Sequence, residues 1–168
     1  MDQDLTESKI QILSAHSQQD IESVRILFKE YENAIGVDLC FQGFAEELAG
    51  LPGKYAPPDG RLLLALGDNA LAGCVALRRF GEDACEMKRL YVRPEYRGLG
   101  LGRKLALAVI NEAISIGYIK MRLDTLPSMV EAIAMYETLG FIEIEPYRFN
   151  PVDGAIYMGK GLKGYGLK

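Results

Sequence analysis

The stretch Arg97-Gly-Leu-Gly-Leu-Gly102 is where residue types and spacing most directly suggest chemistry. Glycine at alternate positions lets successive backbone N–H groups turn toward a ligand without Cβ clashes. The loop opens straight into a helical pattern, whose free N–H groups and positive dipole end favour an anion. The charges agree with this. From Lys88 to Lys104 there are six basic side chains (Lys88, Arg89, Arg93, Arg97, Arg103, Lys104) and one acid, Glu95. That is +5 in 17 residues, in a 168-residue chain whose 19 basic and 23 acidic side chains give −4 overall. An acidic protein that gathers positive charge at one strand–loop–helix junction points to a pyrophosphate cradle there.

Two common cradles fit poorly. A Walker A loop needs Gly-x4-Gly-Lys-Ser/Thr, and no such string occurs. The dinucleotide fingerprint G-x-G-x-x-G is started by Gly98 and Gly100, but position 103 is Arg. Asp124 sits at a tempting distance for a ribose-binding acid. Against that, Arg93-Pro-Glu-Tyr-Arg97 separates the preceding strand from the glycines, whereas a dinucleotide fold turns into them almost at once. Metal chemistry has little to work with. His16 is the single histidine, and Cys40, Cys74 and Cys85 form no close pair or zinc-ligand spacing. The cysteines read as small buried hydrophobes in a reducing compartment.

The elements that must position this loop follow from pattern. Lys9 to Ala15 reads as a strand, and Ser17-Gln-Gln-Asp20 supplies capping residues for a helix with Ile21, Val24, Leu27, Phe28 and Tyr31 on one face. Gly36 ends it. A short helix follows from Gly43 to about Ala49, and the Pro- and Gly-rich stretch 51–60 is loop. Leu62–Leu66 and Ala70–Arg79 are strands joined at Gly67-Asp-Asn69, the second weakened by Gly73. Ala84–Val92 is the next strand, stopped by Pro94. Arg103–Ile116 is a helix closed by Gly117, Ile119–Asp124 a strand, Ser128–Leu139 a helix closed by Gly140. Phe141–Ile144 and Ala155–Lys160 are the last strands. The three-strand meander should be antiparallel. The strand through Leu90 and that through Leu123 are joined by a helix and should be parallel. An α/β fold with a mixed sheet and helices on both faces is expected.

With these elements in place, Leu90-Tyr-Val-Arg-Pro-Glu-Tyr-Arg-Gly-Leu-Gly-Leu-Gly102 resembles the acetyl-CoA-binding motif of the GNAT superfamily of N-acetyltransferases, Arg/Gln-x-x-Gly-x-Gly/Ala after a hydrophobic strand. Ala132-Ile-Ala-Met-Tyr-Glu-Thr-Leu-Gly-Phe141 is similar to the family's A-x-x-x-Y-x-x-x-G-F helix-to-strand signature. The resemblance covers residues 60–160 and implies a GNAT-like mixed, partly splayed β-sheet of about six or seven strands flanked by about four helices. It implies a single acetyltransferase domain over 1–168, with the acetyl-CoA-binding core at about 60–160 and the acceptor side at about 17–60. Acetyl-CoA would be the cosubstrate. Backbone groups of Leu90, Tyr91 and Val92 would pair with the pantetheine amides, and those of Arg97, Gly98, Leu99, Gly100, Leu101, Gly102 and Arg103 would hold the pyrophosphate. Tyr136 would protonate the departing thiolate. Many members carry Asn seven residues before that tyrosine; here it is Met129.

Acyl transfer from a thioester to an amine needs a neutral nucleophile, and an alkylammonium near pKa 10.4 is neutral to about one part in a few thousand at pH 7. Glu86 and Asp124 are the carboxylates that could take its proton, directly or through water. Glu86 is two-residue periodic with Lys88, Leu90 and Val92, which predicts one shared face. Without the chemistry, Glu86 reads as a surface carboxylate paired with a neighbouring strand, Asp124 as a cap toward Thr125 and Ser128, and Tyr136 as a core aromatic. No cysteine lies in the motif, so nothing favours a covalent acyl-enzyme over direct attack in a ternary complex. The rival readings are a noncatalytic acyl-CoA-binding sensor and a Rossmann-type nucleotide-binding protein. The acceptor is expected against the first helices and the loop near Pro57, with Tyr31, Leu39, Cys40 and Phe41 as an apolar wall or core.

Composition narrows the setting. Apolar residues are 49% and charged ones 25%, enough to build a core and typical of one globular domain. The longest unbroken apolar run, Leu105–Ile110, is six residues, far short of the roughly 20 of a spanning helix. The acidic, polar segment MDQDLTESK resembles neither a signal nor a transit peptide, which predicts a cytoplasmic protein. The negative net charge argues against nucleic acid or an anionic membrane as partner. A homodimer is left open.

Overall fold

The computed structural model describes residues 9–37, 39 and 43–162. The chain runs β1 (Ile10–Ser14), α1 (Gln18–Ile35), α2 (Phe44–Ala49), β2 (Arg61–Gly67), β3 (Ala70–Arg79), β4 (Ala84–Val92), α3 (Leu101–Ile116), β5 (Lys120–Thr125), α4 (Val130–Thr138), β6 (Ile142–Glu143) and β7 (Ile156–Gly161). Single 3₁₀ turns lie at Gly53–Tyr55 and Pro94–Tyr96. The strands make one seven-stranded sheet in the order β1-β2-β3-β4-β5-β7-β6. Among the described residues only β4 and β5 pair in parallel, and every other strand pairing is antiparallel. This is the expected mixed α/β sheet, and it removes the Rossmann-type alternative, which needs a largely parallel, doubly wound sheet.

Local chemistry accounts for the boundaries. Ser17 accepts from the Asp20 N–H at 3.0 Å while Asp20 accepts from the Ser17 N–H at 3.3 Å, a reciprocal capping box that starts α1. Gly36, at φ 69°, closes it. Asp68 and Asn69 take φ 52° and 70°, the two left-handed residues of a tight hairpin turn between β2 and β3. Gly73 is required rather than merely tolerated: a Cβ there would lie 2.5 Å from the Tyr91 carbonyl oxygen and 3.2 Å from a Leu105 methyl. Its bare backbone lets β4 and α3 close onto β3.

Two cores sandwich the sheet. Leu63, Ala65, Val75, Leu77, Cys85, Met87, Met121 and Leu123 face α3, where Leu101, Leu105, Val109 and Ala113 are buried. Leu62, Leu64, Cys74, Ala76 and Tyr91 face α1, against Val24, Leu27 and Phe28. Alternation along β2 thus sends successive leucines to opposite layers. Leu39 lies in the second core at 3% exposure, whereas Cys40 and Phe41 lie outside the described residues.

The alternation also breaks within β4, and that break corrects the shared face expected for Glu86, Lys88, Leu90 and Val92. Lys88 is opposite Ala76 but Tyr91 is opposite Cys74, so Arg89 and Leu90 together face Val75. This is a β-bulge, with Arg89 at φ 60°. The extra residue reverses the phase. Glu86 and Lys88 sit with Ala76 and Arg78 on the α1 side, while Leu90 and Val92 pack into the α3 core.

Candidate active site

The β4–β5 ladder runs from Ala84–Lys120 to Glu86–Arg122 and stops. Past that point the two parallel strands splay, at the level of the Arg89 bulge. Arg93 donates its N–H to the Ala72 carbonyl on β3 at 2.8 Å. Strand alternation therefore turns the N–H groups of Leu90 and Val92 to the other edge, toward the splay. An extended ligand with amides could add there as a strand does. The α1-side cation Arg97 donates Nε to the Val92 carbonyl at 2.8 Å, so that acceptor is engaged by the protein itself.

At the end of this edge the glycine loop meets α3. Gly98 and Gly100 adopt φ 82° and 79°, and a Cβ on either would meet nothing within 4 Å. Their glycine identity follows from the left-handed backbone that aims the loop, not from crowding. Gly102 already lies in the first turn of α3, where a Cβ would touch a Val92 methyl at 3.8 Å. Residues 97–100 are exposed. The basic stripe is less concentrated than its spacing predicts. Arg89 makes a bidentate pair with Glu47 of α2 at 2.8 and 3.0 Å, and Arg93 one with Glu30 of α1 at 2.7 and 3.0 Å. Those two charges are neutralised as tertiary links. Arg97, Arg103 and Lys104 remain at the loop, with Arg103 donating to the Thr138 hydroxyl at 2.7 Å.

Within the splay lies a small cavity of about 40 Å³, lined by residues that include Tyr31, Lys88, Asp124, Met129 and Tyr136. Tyr136 is 7% exposed, its ring edge-on to Phe141 at 5.7 Å between centroids. Burial, with the neighbouring Tyr31 and Asp124 adding to it, pushes its phenol well above the ordinary tyrosine range. It is a group that keeps its proton at neutral pH. Asp124 accepts from the Asn150 side-chain amide at 3.2 Å; the cap toward Thr125 and Ser128 is not what it makes. Met129, in the position of the family's Asn, receives the Thr125 hydroxyl on its sulfur at 3.6 Å.

Glu86 stands apart from that cavity, and it is not a surface carboxylate. It is fully buried. One oxygen accepts from Arg78 Nε at 2.9 Å and from an Arg148 terminal nitrogen at 2.6 Å; the other accepts from the Tyr147 hydroxyl at 2.8 Å. Burial works to raise its pKa, but Lys88, Arg148 and Arg78 together with the Tyr147 phenol hold the carboxyl below its usual range. So Tyr136 and Asp124 share a cavity, and Glu86 lies in the wall behind the neighbouring one. That neighbour is a cleft of about 550 Å³ on the α1 side, bounded by α2, the Gly53–Tyr55 turn, Arg78 of β3 with Phe80 just after it, and Arg148 and Phe149 before β7. Lys88 lines both spaces. Burial depresses its ammonium to about 7 against the opposing pull of Glu86. Sequence reasoning missed Arg78, Tyr147, Arg148 and Asn150, whose partners are 8, 61, 62 and 26 residues away. Pro57 does not line the cleft; Pro52 and Tyr55 do.

Comparison with known proteins agrees with the geometry. The model of the Acetyltransferase (GNAT) family matches residues 23–141. A protein of Schizosaccharomyces pombe named as an uncharacterized N-acetyltransferase is 43% identical over 153 residues, covering 90% of this chain and 94% of that one. A GNAT-family acetyltransferase of Staphylococcus aureus shares the fold at a TM-score of 0.77 and 22% identity, over 92% of this chain and 100% of that one. A paia N-acetyltransferase of Thermoplasma acidophilum, solved in complex with coenzyme A, does so at 0.69 and 21% identity, over 91% and 99%. The splayed mixed sheet with a glycine loop at its mouth is thus the architecture of an acyltransferase class. The chain belongs to the Acetyltransferase (GNAT) family. It is an N-acetyltransferase, with acetyl-CoA as cosubstrate.

Proposed function

We propose that the chain moves acetyl from acetyl-CoA to an amine by direct attack in a ternary complex. The observation that carries this reading is the splay of β4 from β5, with Tyr136 and Asp124 lining its inner end and the glycine loop at its outer end. Pantetheine adds along Leu90, Tyr91 and Val92. The pyrophosphate lies on the backbone N–H groups from Arg97 to Arg103, at the N-terminus of α3. The thioester then reaches the Tyr136 cavity. The amine nitrogen bonds to the acetyl carbonyl carbon, the C–S bond breaks, and the sulfur leaves as thiolate. Tyr136 gives the thiolate its proton. The proton lost by the amine goes to Asp124, directly or through water, and is returned to Tyr136 through solvent. The products are an N-acetyl amine and free CoA.

Of the two carboxylates, Asp124 suits the base role better. Both Glu86 oxygens already accept hydrogen bonds and its proton affinity is reduced. Glu86 instead holds Arg78 and Arg148 in place. The described residues include no helix long and apolar enough to cross a membrane. The test is thiol release from acetyl-CoA across a panel of amines, with acetyl-CoA binding followed in parallel by calorimetry. Binding together with turnover of at least one amine is expected. Binding without turnover of any amine would support a noncatalytic sensor instead.

A further inference from the structure

The cleft beside the acyl site is dominated by cations. Lys54, Arg78, Lys88 and Arg148 line it. Of the acids nearby, Glu47 is engaged by Arg89 through two hydrogen bonds. Beyond it, Glu46 is exposed, Glu86 is buried, and Asp124 meets Lys88 from the inner cavity, so the carboxylates around the four positive side chains are few. Glu86 alone meets both guanidiniums, and its hydrogen bonds use a single nitrogen of each. A guanidinium carries five N–H donors. Arg148 Nε, moreover, is buried with no acceptor. Both side chains are held in place, at 17% and 16% exposure, and their guanidinium carbons lie 5.1 and 5.7 Å from the centre of the Phe80 ring. The result is a rigid, partly desolvated pair of forks with donor capacity left over. Planar forks of this kind match a carboxylate.

Building on the transferase reading above, we infer that the acceptor is an amine carrying a carboxylate, an amino acid, whose carboxylate is held by Arg78 and Arg148 in the cleft while its amine reaches past Lys88 to the thioester. Lys88 is the side chain common to both spaces, so an acceptor anchored in the cleft must pass it. A carboxylate bound near Lys88 also favours its ammonium, the form that burial otherwise disfavours. Phe80 and Phe149 on the same wall offer an apolar surface for the remainder of the acceptor.

The experiment compares, on the unmodified protein, L-alanine, L-leucine and L-phenylalanine with their α-carboxamides and with the amines obtained by removing the α-carboxyl group, none of which keeps a carboxylate. Acetyl transfer is read as thiol release. Succinate, which has the carboxylates and no amine, is titrated calorimetrically in the same buffer. We expect kcat/KM at least tenfold higher for a carboxylate than for its neutral counterparts, and succinate binding that Arg148→Met weakens at least tenfold while acetyl-CoA affinity stays unchanged. Arg148→Lys, which keeps the charge but not the fork, should recover part of the succinate affinity. Equal or better turnover of the neutral amines would overturn the inference and leave the transferase reading intact. Succinate binding that depends on Arg148, without turnover of any amine, would sustain the anion site and overturn the transferase reading. No succinate binding together with turnover indifferent to the carboxylate would overturn the anion site even if Arg148→Met failed to fold.

Discussion

Tyr136 keeps its proton because its surroundings disfavour a phenolate, and a group that keeps its proton can deliver it to a thiolate forming alongside. Tyr136→Phe retains the ring and its edge-on contact with Phe141 at 5.7 Å. Stability and acetyl-CoA affinity should therefore change little, while kcat falls by about two orders of magnitude or more. Near-unchanged kcat, with chemistry rate-limiting, would reduce Tyr136 to a core aromatic. The described cysteines give the complementary test. Cys74 and Cys85 are buried, and burial pushes both thiols up, Cys85 to about 12. Neither should react with iodoacetamide in the native protein, as peptide mass mapping would show. Alkylation of either, with matching loss of turnover, would reopen a covalent route. Tyr136 was legible in the sequence because its helix-to-strand signature is local. Arg78, Tyr147 and Arg148 around Glu86 were not, because no spacing along the chain signals which distant cations a buried carboxylate will meet.

The elements were legible to within two or three residues wherever a local device sets the boundary: the Ser17–Asp20 capping box, the hairpin turn at Asp68–Asn69, Gly117 after α3. The Arg89 bulge was the consequential miss. Its signal is present, since the apolar phase of β4 runs Cys85, Met87, then Leu90, Val92, slipping by one residue. Reading two-residue periodicity straight through put four side chains on one face that the fold divides between two. The loop yields a paired prediction. At φ 79°, Gly100 cannot become β-branched without moving the loop. Gly100→Val should weaken acetyl-CoA binding at least tenfold, about 1.4 kcal/mol, in a protein that stays folded. Gly102→Ala adds only an ordinary 3.8 Å contact with Val92, so the unliganded fold should accept it. Any affinity lost there measures how closely the ligand approaches that helix turn. Unchanged affinity in both variants would take the loop out of the site.

Over the whole molecule the ionisable groups that are buried or held by hydrogen bonds set a pH profile. Asp20, Glu30 and Glu86 are held below their ordinary carboxyl ranges. Their stabilisation is present above about pH 4.5 and is lost as pH falls through the lower folded values. Lys88, lowered to about 7, acts in the opposite direction. The cost of burying its charge is full below that value and fades as pH rises toward about 10.4, so stability should climb above neutrality. Cys74, Cys85, Tyr55, Tyr136 and Tyr147 are raised. They favour the fold at lower pH, and stability is lost once the unfolded thiols and phenols ionise, from about pH 8.5 upward. Urea midpoints should therefore rise from acid to about pH 8 and fall above about pH 9. The rise between about pH 7 and 8 should vanish in Lys88→Met; its persistence would assign the titration to another group. The order of elements and the single parallel pair were visible from the sequence, since a helix between two strands of one sheet dictates a crossover. Where that pair stops was not visible, because the splay depends on the bulge.

The central claim is that the cofactor completes the sheet at this splay, and amide hydrogen exchange reads it directly. Saturating acetyl-CoA should slow exchange at Leu90 and Val92, whose N–H groups face the opened edge, and through the loop from Gly98 to Gly102. Exchange at Tyr91 and Arg93, directed toward β3, should change far less. Saturation that leaves Leu90, Val92 and the loop at their unliganded rates while slowing amides elsewhere would contradict the account.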